Sequence, residues 1–217
     1  MAEEGELQEY QLVNAEGETL KSSRHYTGKG VATYPNSDTY DGDFKDGLRE
    51  GKGVYTYVSK GGEEQEVKDA YDGEWKENLK HGIGKQTYPG KGHYYGYWSE
   101  GQRHGEGVFT YLNQDVYSGN WANGHKEGKG TYVFFETGMK IVGSWKHGEM
   151  VEGKWVYPNG SFYEGYFDHN KPKGKGKWTF DNGNVVEGEY KQAFKADGDG
   201  REIKLAWKTS SDITKAH

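Results

Sequence analysis

Eight histidines, a lysine run and many glycine pairs are the residues of this chain whose types could carry chemistry. Histidines at ligand spacing would hold a transition metal or move protons. Here His81 and His104 recur at one position of a repeating pattern, where Glu50, Glu127 and Lys173 stand in other copies. His147 and His169 share a second such position. Residues spread at a period do not converge, so they read as solvated turn residues, and neither a metal nor any other cofactor is expected. No H-E-x-x-H, no Cys–His pair and no G-x-S-x-G occurs. Glycine pairs cradle phosphate when they open a helix after a strand. Those in this chain lie inside strand patterns. Asn159-Gly160-Ser161 fits a glycosylation acceptor, yet it reads as a tight turn in a chain whose start, MAEEGELQEY, shows no secretory signal.

The lysines Lys171, Lys173, Lys175 and Lys177 make the best case for an anionic partner. Near an anionic lipid surface each would contribute about 1 kcal/mol. The first two are expected in a turn and the other two on the polar face of a strand. The rest of the chain argues for a solvated face. Net charge is -6 and pI about 5.8, the reverse of a nucleic-acid binder. No stretch approaches the roughly 20 apolar residues of a membrane span. With no cysteine, a reducing compartment fits best.

What must position these residues is a repeat. Tyr40, Tyr71, Tyr94, Tyr117, Ile141, Tyr163 and Val186 occupy one column, with steps of 22 to 24 residues and a single longer one. Glycine follows two residues later (Gly42, Gly73, Gly96, Gly119, Gly143, Gly165, Gly188). Two further on comes an aromatic: Phe44, Trp75, Trp98, Trp121, Trp145, Phe167, Tyr190. Residues two apart share a strand face. Each copy therefore reads as a hairpin with an aromatic-and-glycine face and a more polar one. Gly47, Asn78, Gly101, Gly124, Gly148 and Asn170 mark a turn that needs left-handed backbone. Tyr157-Pro-Asn-Gly160 and Phe180-Asp-Asn-Gly183 supply hairpin dipeptides between copies.

The hydrophobic fraction of 32% and mean hydropathy of -1.10 alone would suggest disorder. The 18 tyrosines, 7 tryptophans and 35 glycines at fixed columns overrule that. An aromatic ring can cover a glycine on a neighbouring strand, and Trp98 is expected to lie over such a glycine, for instance Gly119. A period of this kind means stacked copies of one unit. The fold expected is all-β: an elongated single-layer antiparallel sheet of tandem hairpins, roughly 15 strands at about 4.8 Å spacing.

Residues 1–24 form an acidic arm. Within it Tyr10–Val13 and Glu18–Lys21 suit a capping hairpin, the second segment standing where a first strand is due. Residues 25–190 carry the repeats, with an acidic loop inserted within Val58 to Ala70. The copy from Ile141 is worn: Val151 replaces a glycine and the turn is one residue short. Residues 191–217 alternate at Ile203, Leu205 and Trp207, so the tail either caps the last edge or docks on another subunit.

The pattern Y-x-G-x-W-x-x-G-x-x-x-G-x-G-x-x-x-Y over residues 28–190 resembles the MORN repeat (membrane occupation and recognition nexus). Among such proteins the chain is similar to the small repeat subunits of the radial spoke head of motile cilia and flagella. That resemblance implies a structural, non-enzymatic role in the axoneme, within the cytoskeleton. It also implies other spoke-head subunits as partners, including a related MORN protein across a two-fold. The flanks are too short for a catalytic domain. The partner-binding residues expected are Trp75, Trp98, Trp121 and Trp145, lining a trough, together with Tyr95 and Tyr97. The two tyrosines break a charged column (Asp41, Asp43, Asp72, Glu74, Glu187, Glu189) on the polar face. Beside them Val108, Thr110, Ser118, Asn120, Thr131, Val133 and Val142 suggest an uncharged middle. The alternative function is a peripheral adaptor binding phosphoinositide membranes through the lysine run.

Overall fold

The computed structural model describes residues 9–58, 68–197, 200–210 and 214–215. The loop expected within Val58 to Ala70 falls mostly outside them. The chain is all-β, with no helix among the described residues. It divides into two compact units, Met1–Leu112 and Asn113–His217.

The first unit holds β1 (Gln11–Asn14), β2 (Thr19–Leu20), β3 (Gly28–Thr33), β4 (Thr39–Lys45), β5 (Leu48–Tyr57), β6 (Asp69–Lys76), β7 (Leu79–Tyr88), β8 (Gly92–Ser99) and β9 (Gln102–Tyr111). From β3 to β9 each strand pairs antiparallel with the next. In the N-terminal hairpin the expected order is reversed. The first segment, β1, pairs with β3, Leu12 opposite Ala32, and β2 lies outside it.

The second unit holds β10 (Val116–Ala122), β11 (His125–Val133), β12 (Lys140–Lys146), β13 (Glu149–Val156), β14 (Phe162–Asp168), β15 (Lys171–Thr179), β16 (Asn184–Asp197), β17 (Gly200–Thr209) and β18 (Thr214–Lys215). These too pair in sequence, and β16 carries both β17 and β18. The tail thus lies against the last repeat strand, with Trp207 opposite Tyr190.

One contact organises each hairpin. Glycines two and thirteen residues along a regular copy face each other across the strands, as Gly42 and Gly53 do. The tyrosine that starts the copy lies over that pair. Tyr40, Tyr71, Tyr94, Tyr117 and Tyr163 are fully buried. A Cβ on Gly53, Gly84, Gly107, Gly130 or Gly176 would come well inside 3.0 Å of the ring. So a glycine is roofed by the tyrosine of its own copy. This corrects the expectation that Trp98 covers Gly119: the atoms over Gly119 are the Tyr117 hydroxyl and the Gly130 backbone. Each buried ring is worth about 1.5–3 kcal/mol relative to exposure.

The strands also carry a bulge at a fixed place. Between Gly53 and Arg49, three residues oppose Asp43 alone. Gly51, Gly82, Gly105, Gly128 and Gly174 turn left-handed there, with φ from 54 to 72°. A bulge leaves backbone groups unpaired. The roofing tyrosine answers one of them: Tyr40, Tyr71, Tyr94 and Tyr117 donate to the carbonyls of Asp43, Glu74, Tyr97 and Asn120 at 2.9–3.1 Å. The hairpin turns have left-handed backbone at both central residues, for example Asp46 (48°) and Gly47 (82°), as type I′ turns require. Between copies, Tyr157-Pro-Asn-Gly160 has one left-handed residue, Gly160, so it is a three-residue loop rather than a two-residue turn.

The worn copy shows what can replace the tyrosine. Ile141 has no hydroxyl and less bulk. Met150, fully buried, brings its Cε over Gly143 and Gly153 instead. The missing residue is lost from the bulge, where Val151 and Glu152 oppose Ser144, and not from the turn. At the ends the roof comes from outside the repeats: Leu12 covers Gly30, and Trp207 covers Gly188.

Gly130→Ala should therefore lower stability by about 1–3 kcal/mol through overpacking. Gly124→Ala, whose Cβ meets nothing within 4 Å, should cost only the left-handed strain of about 1 kcal/mol. Urea midpoints of the two variants check this, and a larger loss at Gly124 would refute the roof.

Candidate functional site

In each unit the sheet has an aromatic side and a polar side, and both hold candidate residues. On the aromatic side, the four expected tryptophans are core residues. Trp75, Trp98, Trp121 and Trp145 are 4–5% exposed. Trp75, Trp98 and Trp145 reach back one copy, donating from Nε1 to the carbonyls of Gly53, Gly84 and Gly130 at 2.9–3.2 Å. Each also stands edge-on to the previous copy's tyrosine, as Trp75 does to Tyr40 at 5.4 Å. They bolt neighbouring copies together, and little of their surface is left for a partner.

What lies above them is a column of cations that the sequence reading passed over. Nine residues into the copies from Tyr40, Tyr71, Tyr94 and Tyr117, opposite the tryptophan position, stand Arg49, Lys80, Arg103 and Lys126, with Met150 and Pro172 at that place in the next two. Arg49 sits 4.5 Å from the Trp75 ring centroid and 5.0 Å from that of Tyr55. Lys126 is 4.8–4.9 Å from Tyr117, Tyr132 and Trp145. Such cation–π contacts strengthen as the cation loses water. Arg49 further donates to the side chain and the carbonyl of Asn78 in the next turn. Lys80 lies 5.1 Å from Tyr71 and Trp98 and donates to Gln86, which itself donates to Asp69 at 2.6 Å. Burial pushes the Lys80 ammonium down to about 8, with Asp69 acting against it. The signal was in the sequence as a fixed-column Arg/Lys, hidden because it adjoins an exposed turn.

A second missed column precedes the roofing tyrosine by two residues. Asp38 accepts from Tyr55 Oη, Val58 N and Asn36 Nδ2, each at 2.8 Å. Asp115 repeats the set with Tyr132, Phe135 and Asn113. Burial pushes the Asp115 carboxyl up, but these three hydrogen bonds outweigh it and hold the group below the usual range. Both aspartates tie one loop to the next.

On the polar face of the first unit, Tyr95 and Tyr97 are 56% and 49% exposed. They adjoin exposed Val108 and Ile83 across the strands. In three other copies the position of Tyr97 serves the bulge, whereas in the copy from Tyr163 it holds Tyr166, 59% exposed. Asp43 accepts from Lys52 N, Glu74 accepts from Ile83 N, and Asn120 donates to Lys129 O, at 3.2–3.3 Å. A tyrosine cannot do this from that place, so Tyr97 gives up a bond that folding uses.

In the second unit the same face carries an open groove of about 580 Å³ along the glycine row, between Ser118, Thr131 and Val142 on one side and Lys129, Ser144 and Glu152 on the other. The uncharged middle expected there is therefore interrupted: Lys129 stands in it, donating to Ser144 at 2.9 Å.

The lysine run begins β15, so Lys171 and Lys173 belong to a strand and not to a turn. Pro172 is buried on the aromatic side, and the bulge at Gly174 adds two residues, so the alternation continues across it. Lys171, Lys173, Lys175 and Lys177 thus all take the polar side, but among acids. Lys173 pairs with Asp168 at 2.6 Å, Lys177 lies 4.0 Å from Glu164, and Lys175 is opposite Glu189. The histidines stay apart, and no cluster of metal-ligating residues occurs among the described residues.

A family model described as MORN repeat matches residues 26–39, 40–61, 71–93, 94–116, 117–136, 142–162 and 163–185. No curated protein matches the chain.

The buried ammonium gives a pH signature. The folded pKa of Lys80 is lowered, so between about 8 and its ordinary 10.5 the unfolded chain binds more protons and stability rises with pH. From pH 8 to pH 10 the urea midpoint of the native protein should gain relative to that of Lys80→Met, while burial of the tyrosines lowers both alike toward pH 10. Parallel curves would contradict the assignment.

Proposed function

The chain belongs to the MORN-repeat family, and on that premise we propose that it is a structural subunit of the radial spoke head in the axoneme of motile cilia and flagella. Proteins of this family are generally non-enzymatic scaffolds, with protein-interaction or membrane-binding roles. The resemblance to the small repeat subunits of the spoke head supports the finer reading. On this reading the chain works in the cytoskeleton of the cilium, beside other spoke-head proteins, with a related MORN subunit across a two-fold. Its mechanism is geometric: copies bolted through buried tryptophans hold partner surfaces at a fixed spacing.

The observation that carries this reading is the pair Tyr95 and Tyr97. Folding uses every other aromatic of that copy, whereas these two face solvent beside Ile83 and Val108. Contiguous exposed apolar surface of this kind marks contact sites, and tyrosine is enriched among binding hot spots. Neither side chain makes a hydrogen bond among the described residues. Adaptor binding to phosphoinositide membranes through the lysine run has less support, because Asp168, Glu164 and Glu189 stand against three of the four lysines.

Tyr95→Ser with Tyr97→Ser, expressed in cilia lacking the native protein, is the test. The double variant should fold, with a native circular dichroism spectrum and thermal midpoint, and fail to join the assembly. Incorporation at full stoichiometry would sink the contact. Sedimentation of the native protein with phosphoinositide vesicles, unchanged by this variant and lost on replacing the lysines, would favour the membrane reading.

A further inference from the structure

The sheet of the second unit ends on a long open strand. Among the described strands β17 pairs with β16 alone, in one unbroken register that runs from Gly188 opposite Thr209 to Asp197 opposite Gly200. The ladder decides which backbone groups are used. Ser210 N donates to Glu187 O at 2.9 Å. Bonded pairs alternate along an antiparallel ladder, so Lys204, Ala206 and Lys208 bond to β16. Ile203, Leu205 and Trp207 therefore turn their N–H and C=O groups to the open side. Folded proteins blunt such edges with short strands, bulges or proline. The edge of the first unit is blunted in this way, by the two-residue strand Thr19–Leu20 lying against β1. β17 has neither proline nor bulge.

We propose that this edge binds a second copy of the chain, β17 to β17 across a two-fold at Leu205, so that two sheets continue as one. The occupant follows from the strand's complementarity to itself. Two antiparallel copies in one sheet keep like faces together only in every second register. Centred on Leu205, the pairing covers residues 201–209 of both copies. Leu205 then meets the partner's Leu205, Ile203 meets Trp207, and Lys204 meets Ala206. Lys208, opposite Glu189 on its own side, meets position 202 of the partner, a glutamate. Moving the centre by one residue sets Lys204 against Lys204 or against Lys208, and like charges directly opposite destabilise a sheet. Moving it by two shortens the ladder. Ile203, Leu205 and Trp207 are half-buried, so the partner's row completes a burial that the chain begins. The pairing goes beyond the spoke-head reading and does not depend on it, since it uses no residue of the Tyr95 and Tyr97 face.

Sedimentation velocity of the full chain over a dilution series should show a concentration-dependent species of twice the 24.5 kDa chain mass. Leu205→Pro removes an outward N–H and leaves the bonds to β16 in place. It should stay monomeric with a native circular dichroism spectrum. The chain has no cysteine, so single thiols give a second reading, which decides the matter if Leu205→Pro fails to fold. At the two-fold, Leu205→Cys sets two thiols on facing residues with Cα atoms about 5.5 Å apart, within disulfide reach. Under mild oxidation it should form a covalent dimer roughly tenfold or more faster than Ile203→Cys, whose thiols lie out of register. Equal cross-linking of the two overturns the proposal. So does a native protein that is monomeric at every concentration, which would leave the edge to a strand of another protein. A dimer that survives Leu205→Pro, or that is lost in Tyr95→Ser with Tyr97→Ser, places the contact elsewhere and equally overturns it.

Discussion

A tyrosine ring lying flat on a pair of glycines is the contact on which the rest of this structure depends. In each unit the sheet is a single layer, so the rings of one face have no second layer to pack against. The layer becomes thick enough to exclude water only because glycine lets the ring sink onto the backbone. Everything else in a copy follows from that placement. The sunken hydroxyl reaches the carbonyl that the bulge leaves open, and the tryptophan two strands on finds the ring edge and the glycine carbonyl behind it. Fully buried Tyr40, Tyr71, Tyr94, Tyr117 and Tyr163 mark where the contact is intact. Where tyrosine is absent, Met150, Leu12 or Trp207 supplies the roof.

This economy divides the residues between folding and recognition. Aromatic area that would look like a binding trough is consumed by the core, and the tryptophans are the plainest case. What remains for partners is whatever the repeat does not use, such as a polar-face position released from the bulge. Divergence between copies is informative because the shared positions have so few alternatives. Asp43, Glu74 and Asn120 occupy a place with a structural duty, and Tyr97 and Tyr166 in the same column are exposed instead.

The periodic part of the fold was legible because strand alternation and left-handed turns constrain residue type directly. The Tyr, Gly and Trp columns, the Gly/Asn turn position and the worn copy could all be read from spacing. The roofing partner could not. Sequence alone does not say whether a ring covers the glycine of its own hairpin or of the next, and Trp98 was assigned to the wrong one. The bulge was missed for a related reason, since three residues opposing one leave no mark beyond an extra glycine at Gly51 and its counterparts. It misplaced Lys171 and Lys173, and it disguised the lost residue of the worn copy as a shortened turn. Asp38 and Asp115 look like ordinary loop acids until Tyr55 and Tyr132 are seen to reach them.

The most direct measurement of the central claim is hydrogen exchange at the indole Nε1 protons of Trp75, Trp98 and Trp145, followed by NMR. If copies are held together through these buried donors, the three protons exchange only when the sheet opens, far more slowly than in free tryptophan. Exchange at the rate of free indole under native conditions would contradict the account.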